Sequence, residues 1–335
     1  LAKKAGKHTL SNPLVGAVLV YKDRIIGEGF HQKYGQAHAE VNALNDVKNE
    51  DRHLIPLATL YVSLEPCAHT GKTPPCAHRI VRERIPRVVI GCADPNPIVA
   101  GNGIQYLQDH GVEVTYPILE KDAQLLIAKF KANLKGLPYI ILKWAQSADL
   151  YISKKDTQTW LSNEYTRVLT HQWRSEVDAI MVGKNTVLID NPSLDVRNYF
   201  GESPVRIVLD SQLAINQKYK LIHDDFPTII FNQLKNETDK NKRYIMVESL
   251  DEIETVLSKI YQLGITSVLI EGGAILLKSF VKSGLWHEAR VIKTTSKLKD
   301  GIPAPMVDGI LLEKKYLKSD EIIYLANPNQ VSAHD

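Results

Sequence analysis

Short apolar runs alternate with helix-like stretches along the whole chain, and this alternation most limits the folds open to it. Val15–Val20, Thr59–Leu64, Arg87–Gly91 and Val112–Tyr116 read as strands, and Arg24–Gly27 returns from the first across the turn Tyr21-Lys22-Asp23 as a hairpin. His38–Val47 has helical spacing, with Val41, Leu44 and Val47 on one side. Helices are also expected around Cys76–Arg84 and Ile104–His110. Strands alternating with helices give a layered α/β domain. An Ala/Lys/Leu-rich helical stretch from Ile118 ends at Gly136-Leu137-Pro138, a stop signal. Beyond it the pattern starts again. Tyr139–Trp144, Ala179–Val182, Val205–Leu209, Thr228–Phe231, Ser267–Ile270, Ala289–Lys293 and Ile322–Leu325 read as strands, with a helix over Glu164–Ser175. The expected organisation is a domain over 1–117, a helical linker over 118–138 and a second α/β domain over 139–335. The length, 335 residues, suits two domains at roughly 150 residues each.

Composition removes several function classes. No stretch approaches the ~18 uninterrupted apolar residues of a transmembrane helix. The first residues, Leu1-Ala2-Lys3-Lys4-Ala5-Gly6, have no apolar segment of a signal peptide and lack Met. They read as the tail of a helix from which a few residues are missing. Formal net charge is +3, from 41 basic and 38 acidic residues, too balanced for a general nucleic-acid binder. The three cysteines, Cys67, Cys76 and Cys92, cannot all pair with one another, so cytoplasmic thiols or metal ligands are expected rather than disulfides.

Three pieces carry chemistry in the first half. His38-Ala39-Glu40 opens a helix, Glu65-Pro66-Cys67 follows a strand, and Cys76 comes after Thr73-Pro74-Pro75. One imidazole and two thiolates form a sensible zinc set, and three protein ligands leave the fourth tetrahedral position for water. Zinc brings the pKa of such a water from 15.7 to about 7. Glu40, two residues beyond the ligand His38, would carry a proton from that water to a leaving amine, the division of labour seen in zinc deaminases. Here the two cysteines are separated by the insert Ala68–Pro75 instead of a two-residue spacer, which could form a loop over the site. A purely structural zinc would need a fourth ligand. Cys92 and His69 are the residues on offer, and Cys92, just after an apolar strand, reads better as a small core residue.

Asn12-Pro13-Leu14-Val15-Gly16, Gly27-Glu28-Gly29-Phe30-His31, His38-Ala39-Glu40-Val41, the run Glu65–Cys76 (EPCAHTGKTPPC) and Asp94-Pro95-Asn96-Pro97 closely resemble the bifunctional deaminase–reductase family of riboflavin biosynthesis. The resemblance implies a cytidine-deaminase-like α/β/α domain that hydrolyses the 2-amino group of 2,5-diamino-6-ribosylamino-4(3H)-pyrimidinone 5′-phosphate. Asn12, His69 and Lys72 would contact that substrate, with His69 and Lys72 toward its polar and phosphate end. An alternative is a nucleobase or tRNA deaminase joined to a non-reducing second domain. The long spacing between the cysteines and the modest charge argue against it.

The second half is plainer. Ile270-Glu271-Gly272-Gly273-Ala274 joins a strand to a helix over Ile275–Lys282, where glycines let backbone N–H groups approach a phosphate. It is not the dinucleotide fingerprint of G-x-G-x-x-G form. Arg174, Arg197 and Arg206 are scattered cations, and such residues are mostly solvated. The family resemblance continues through Leu142–Asp149, Trp160–Glu164, Arg174, Thr186–Arg197 and Val208–Ser211. It implies a dihydrofolate-reductase-like α/β domain using NADPH, in which the ribose of the deaminated intermediate opens and hydride reduces C1′. Ala145, Trp160, Thr186, Asp190, Ser211, Gly273, Ala274, Ile275, Leu276, Leu277, Lys278 and Ser279 would line the NADPH site. Arg174, Leu194, Arg197 and Glu271 would line the substrate site with Gln158 nearby, and Lys143 and Asp149 would sit near the reacting sugar. Bidentate guanidinium suits the substrate phosphate. The chain departs from the family pattern at Ser11, Leu150, Gln158, Trp286-His287-Glu288 and Lys297–Pro305. Leu150 stands where glycine is usual, and a lost glycine can close a backbone approach. The resemblance also implies a cytoplasmic homo-oligomer, a dimer or tetramer, acting on a small phosphorylated pyrimidine, with neither nucleic acid nor membrane as partner.

Overall fold

Alternation of β-branched strands with short helices produces two separate sheets. The computed structural model describes residues 1–69, 74–97 and 99–330, and the chain divides into one unit through Lys135 and another from Gly136 to Gln330. In the first unit β1 (Gly16–Tyr21), β2 (Arg24–Phe30), β3 (Thr59–Leu64), β4 (Arg87–Cys92) and β5 (Glu113–Thr115) form a sheet of order β2-β1-β3-β4-β5. The β1–β2 hairpin pairs antiparallel with β3, and β3, β4 and β5 run parallel. Helices α1 (Ala39–Asp46), α2 (Cys76–Arg82) and α3 (Asn102–Asp109) supply the crossovers. The stretch expected to link the halves is two helices, α4 (Glu120–Leu126) and α5 (Ala128–Leu134). Ala123 and Ile127 pack into the first core, so these helices group with the first unit.

Backbone packs directly on backbone between α1 and β2. A Cβ on Gly29 would fall 2.3 Å from the Ala43 amide nitrogen and 2.7 Å from the Ala39 carbonyl oxygen. Glycine is therefore required for the helix carrying Glu40 to rest on the strand backbone. Strong apolar periodicity is not what seats α1. Its buried face is Ala39, Glu40, Ala43 and Leu44, mostly small side chains that permit this approach.

In the second unit the strands are β6 (Tyr139–Gln146), β7 (Tyr151–Ser153), β8 (Ala179–Gly183), β9 (Val205–Leu209), β10 (Thr228–Asn232), β11 (Glu237–Asp239), β12 (Lys242–Met246), β13 (Ser267–Glu271), β14 (Glu288–Lys293), β15 (Ile302–Pro303), β16 (Ile310–Leu317) and β17 (Asp320–Ala326). Ten of them form a sheet of order β11-β12-β10-β9-β8-β13-β6-β14-β17-β16, while β7 and β15 pair separately. Neighbours from β12 to β14 are parallel, and both margins are antiparallel. All five residues of β13 are buried, the continuous pattern of a strand covered on both faces. The helices are α6 (Glu164–Ser175), α7 (Lys184–Asp190), α8 (Lys220–His223), α9 (Ile253–Gln262) and α10 (Ala274–Ser283). Asn163 caps α6, its side-chain oxygen accepting from Tyr165 N at 2.9 Å and Thr166 N at 3.1 Å. Among the described residues no helix is long and apolar enough to cross a membrane.

Leu150 occupies a turn with φ +67° and a side chain 55% exposed. It holds a glycine-type conformation without a glycine. Leu150→Gly should therefore raise the stability of the second unit, by about 1 kcal/mol at most. Trp144, Trp160, Trp173 and Trp286 all lie in that unit and are the chain's four tryptophans, so fluorescence-detected melting reads it. A lower midpoint would mean that the leucine's contacts outweigh the backbone strain. In the first unit, Gly29→Ala should cost roughly 2–3 kcal/mol and impair metal retention, measured by calorimetry and metal content. An unchanged transition would contradict the seating of α1 on β2.

Candidate active sites

In the first unit the ends of three elements converge. His38 is the residue before α1, Cys67 lies three positions past the end of β3, and Cys76 opens α2. The Nδ1 of His38 is 3.6 Å from Cys67 Sγ and 3.3 Å from Cys76 Sγ. All three donor atoms lie within 4.8 Å of one another. Neither Cys92 nor His69 belongs to this group. Cys92 is buried, its thiol donates to the Ser63 carbonyl, and burial pushes its pKa up to about 12. It is the core residue the sequence pattern favoured. Cys76 N donates to Cys67 Sγ at 3.4 Å. Hydrogen bonds from the Cys76 thiol, the His38 ring and this amide hold the Cys67 thiol down at about 4, while the same pairing and burial push Cys76 up. The site thus favours negative charge on the Cys67 sulfur, the form that binds metal. Glu40 is 3% exposed, and burial pushes its carboxyl up to about 7.

The turn that carries Cys67 is anchored by Glu65, a residue the sequence reading treated only as part of a motif. Its buried carboxylate accepts from the backbone amides of Asp94 (3.1 Å), Gly101 (3.0 Å), Gly103 (2.8 Å) and Ile104 (3.3 Å). The loop after β4 and the start of α3 are thereby tied to the turn that carries Cys67. Asn12 is positioned from the other side. His31 Nδ1 donates to the Ala37 carbonyl at 3.1 Å, so its Nε2 accepts from Asn12 Nδ2 at 3.0 Å. Burial keeps the His31 ring neutral by lowering its pKa. This chain of bonds fixes which way the Asn12 amide points. His69 is exposed. Lys72 and the centre of the insert lie outside the described residues.

In the second unit a groove of about 1630 Å³ opens at the carboxyl ends of the parallel strands, where β6, β8, β9 and β13 finish. Every reductase position named from the sequence lines it except Asp149. The two oxygens of Asp149 are used elsewhere. Ser147 Oγ donates at 2.6 Å and Leu298 N at 3.1 Å to one, and Lys299 N donates at 2.8 Å to the other. These bonds, the Ser147 hydroxyl foremost, hold its carboxyl down at about 2. Asp149 pins the turn before Leu150 to the 298–299 backbone. Leu150, too, lies outside the groove lining. Gly273 precedes α10 with φ +77°, and a Cβ there would stand 3.2 Å from Thr186 Oγ1. Glycine leaves the backbone open beside Thr186, as a closely approaching cofactor requires.

The arginines divide. Arg174 is closed on Glu271 through Nε (2.8 Å) and Nη2 (2.9 Å), and its Nη1 donates to the Asp195 carbonyl at 3.0 Å. Lys143 Nζ stands 3.8 Å from Glu271. Arg197 is half exposed and paired with Asp195. Arg206, expected on the surface, is 2% exposed and bonded to Asp224, Thr228 and the Ser193 carbonyl, a structural role. Sequence reading also passed over His171, which lines the groove from α6. The polar spacing Arg167, Thr170, His171, Arg174 was the signal available for it.

Comparison with known proteins finds a match for each half of the chain. The cytidine and deoxycytidylate deaminase zinc-binding region matches residues 1–92, and the RibD C-terminal domain matches 138–294. This is a deaminase domain joined to a reductase-like α/β domain. The chain is 36% identical over 311 residues to riboflavin biosynthesis protein RibD of Aquifex aeolicus, covering 90% of this chain and 86% of that one. To RibD of Bacillus amyloliquefaciens it is 42% identical over 303 residues, covering 86% and 80%. Among solved structures, a diaminohydroxyphosphoribosylaminopyrimidine deaminase/5-amino-6-(5-phosphoribosylamino)uracil reductase from Thermotoga maritima superposes with a TM-score of 0.83 at 31% identity, covering 98% of this chain and 95% of that one. RibD of Acinetobacter baumannii gives 0.77 at 33%, covering 97% and 96%. The chain belongs to the RibD family, the bifunctional deaminase–reductases of riboflavin biosynthesis.

The Glu271 pair generates an acid-stability prediction. Burial alone would raise this carboxyl, but the Arg174 and Lys143 charges outweigh it and hold the group at about 2, below its ordinary 4.5. Its stabilisation is therefore complete above about pH 4.5 and is lost as pH falls toward 2, on the order of 3 kcal/mol in all. Denaturant unfolding followed by tryptophan fluorescence should show that acid limb, and Glu271→Gln, weaker at pH 7, should flatten it. Equal slopes in both proteins would contradict the pairing.

Proposed function

We propose that the first unit deaminates the phosphorylated diaminopyrimidine and that the second reduces its ribosyl chain with NADPH, giving 5-amino-6-(5-phosphoribitylamino)uracil. The observation carrying this reading is the meeting of His38, Cys67 and Cys76 with a buried carboxyl two residues beyond the histidine. The donor set fits zinc: one imidazole, two sulfurs of which Cys67 is biased toward thiolate, and no fourth protein ligand among the described residues. When bound, the metal supplies Lewis-acid activation of the hydrolytic water.

Glu40 moves the proton. Its carboxylate moves one proton from the attacking water to the ring nitrogen and then the hydroxyl proton to the amino group as ammonia leaves, a carbonyl replacing the amine. A carboxyl held near neutrality can do both. Asn12, with its amide orientation set by His31, orients the pyrimidine, and His69 and Lys72 hold its polar and phosphate end.

In the second unit Gly273–Ser279, Thr186, Ser211, Asp190, Ala145 and Trp160 hold the dinucleotide, which when bound supplies the hydride. Arg197, Leu194 and Gln158 seat the sugar phosphate. Arg174 acts through Glu271, fixing a carboxylate that in turn orients Lys143 toward the sugar oxygen released on ring opening. Asp149 serves the site by holding its turn. The reading places the enzyme in the cytoplasm as a homo-oligomer.

Glu40→Gln should retain one zinc per chain and lose deamination by about 10²–10⁴-fold, while reducing supplied deaminated intermediate at the wild-type rate. Ammonia release, metal content and NADPH oxidation measure the three. A variant that deaminates near the wild-type rate would show that Glu40 does not carry the proton. No ammonia from zinc-loaded wild-type protein would overturn the deaminase reading.

A further inference from the structure

The cations around the groove of the second unit differ in how their charge is met. Lys143 and Arg174 face Glu271, and Arg197 pairs with Asp195. Lys184 is different. It opens α7 at the end of β8, lines the groove and is half-buried, and its ammonium has neither a hydrogen bond nor an ion pair among the described residues. Asp190 ends the same helix, but burial alone raises its carboxyl, so Lys184 is not its counter-charge.

Position defines what this ammonium can meet. The floor of the groove includes the ends of β13, β8 and β9, neighbours in the sheet and about 4.8 Å apart. At β13, Glu271 stands opposite Lys143, where the proposed reduction takes place. The turn Gly272-Gly273 comes next, with φ +83° and +77°, and sets the start of α10 against Thr186 of α7. The pyrophosphate of a dinucleotide lies midway between its two riboses. A pyrophosphate at this turn therefore puts the adenosine ribose one strand further on, over β8 and β9. Gly183 pairs with Leu209 in register, which sets Lys184 beside Asp210 and Ser211.

A carboxylate at a strand end suits the free 2′-hydroxyl of the unphosphorylated cofactor, whereas a cation suits a 2′-phosphate. Asp210, the acid at this strand end, is turned away. It is 1% exposed, its carboxylate accepts from Ile215 N at 2.9 Å, and it lies outside the groove lining. Ser211 does line the groove. An unneutralised ammonium and a hydroxyl are left, and both donate to phosphate oxygens. Lys278 and Lys282 of α10 also line the groove, but they are exposed and share their wall with Asp251 and Glu254 near the start of α9, a helix packed against α10.

We infer that Lys184 selects the phosphorylated nicotinamide cofactor: its ammonium, with the Ser211 hydroxyl, binds the 2′-phosphate that NADPH carries and NADH lacks. This deepens the reduction proposed above and rests on it.

The test compares ligands that differ only in that phosphate. Lys184→Met keeps the length of the stem and removes the charge, and Lys184→Arg keeps a cation. Calorimetric titration of the full chain with adenosine 2′,5′-bisphosphate and with adenosine 5′-monophosphate needs no turnover. The wild type should bind the bisphosphate more tightly by about 10-fold or more. Lys184→Met should lose that margin and Lys184→Arg should keep it. Initial rates with the deaminated intermediate should show the same order, the ratio of kcat/KM for NADPH over NADH falling about 10-fold or more in Lys184→Met. An equal margin in the wild type and Lys184→Met overturns the inference. Equal weakening of both nucleotides does so too, because it assigns Lys184 to a group they share or to packing. If the wild type oxidises NADPH and NADH equally well, the reduction stands and the 2′-phosphate site falls. If it oxidises neither with the intermediate, the reduction reading itself fails and this inference falls with it.

Discussion

The contact of the α1 backbone with the β2 backbone sets the geometry of the first unit. Gly29 lets the helix start lie where a Cβ would meet the Ala43 amide, and this fixes the height of His38 and Glu40 above the sheet. The thiols arrive by a different route. Cys67 follows the end of β3, and Cys76 begins the helix after the insert. Their meeting point is held by Glu65, whose carboxylate gathers four amides from the neighbouring loop and from α3. A carboxylate satisfied by that many backbone donors is a rigid post, because displacing any one segment leaves a buried charge under-bonded.

The second unit solves a different problem. In the proposed reduction its groove would hold a dinucleotide and a sugar phosphate at the ends of parallel strands, where backbone groups and helix starts are available. Buried charge there is neutralised internally: Arg174 and Glu271 form a bidentate pair, with Lys143 beside them. Such a pair costs desolvation, which here the two facing cations outweigh. Its value in this setting is orientation, since the carboxylate cannot rotate while both guanidinium bonds hold.

Much of this was legible in the chain. β3 and β9 begin and end where β-branched runs do, and α6 runs from its Asn163 cap to Ser175 as its spacing indicates. The zinc set was readable because a histidine, a glutamate two residues on, and two cysteines have a joint chemical meaning that none has alone. Other parts were hidden for physical reasons. β11, β12 and β16 carry charged residues on a sheet margin, where half of each strand faces water and apolar alternation is lost. Helix α9 hides nothing: Ile253, Val256, Leu257 and Ile260 carry a clear helical period, and the segment was passed over. Asp149 pointed toward the sugar by position in a motif, yet its oxygens serve two backbone amides and a serine, which only three-dimensional neighbours reveal. Arg206 and Arg174 look alike in sequence. One is locked into the Asp224 loop and the other into the groove, and the difference lies in the partners that folding brings to them.

In the proposed centre one nitrogen and two sulfurs hold a single metal with a corner left for a light ligand. X-ray absorption at the zinc edge of the purified full chain tests it most directly. One zinc per chain is expected, with two sulfur neighbours at about 2.3 Å and two nitrogen or oxygen neighbours at about 2.0–2.1 Å. A metal-free protein, or a first shell of three or four sulfurs, would contradict it.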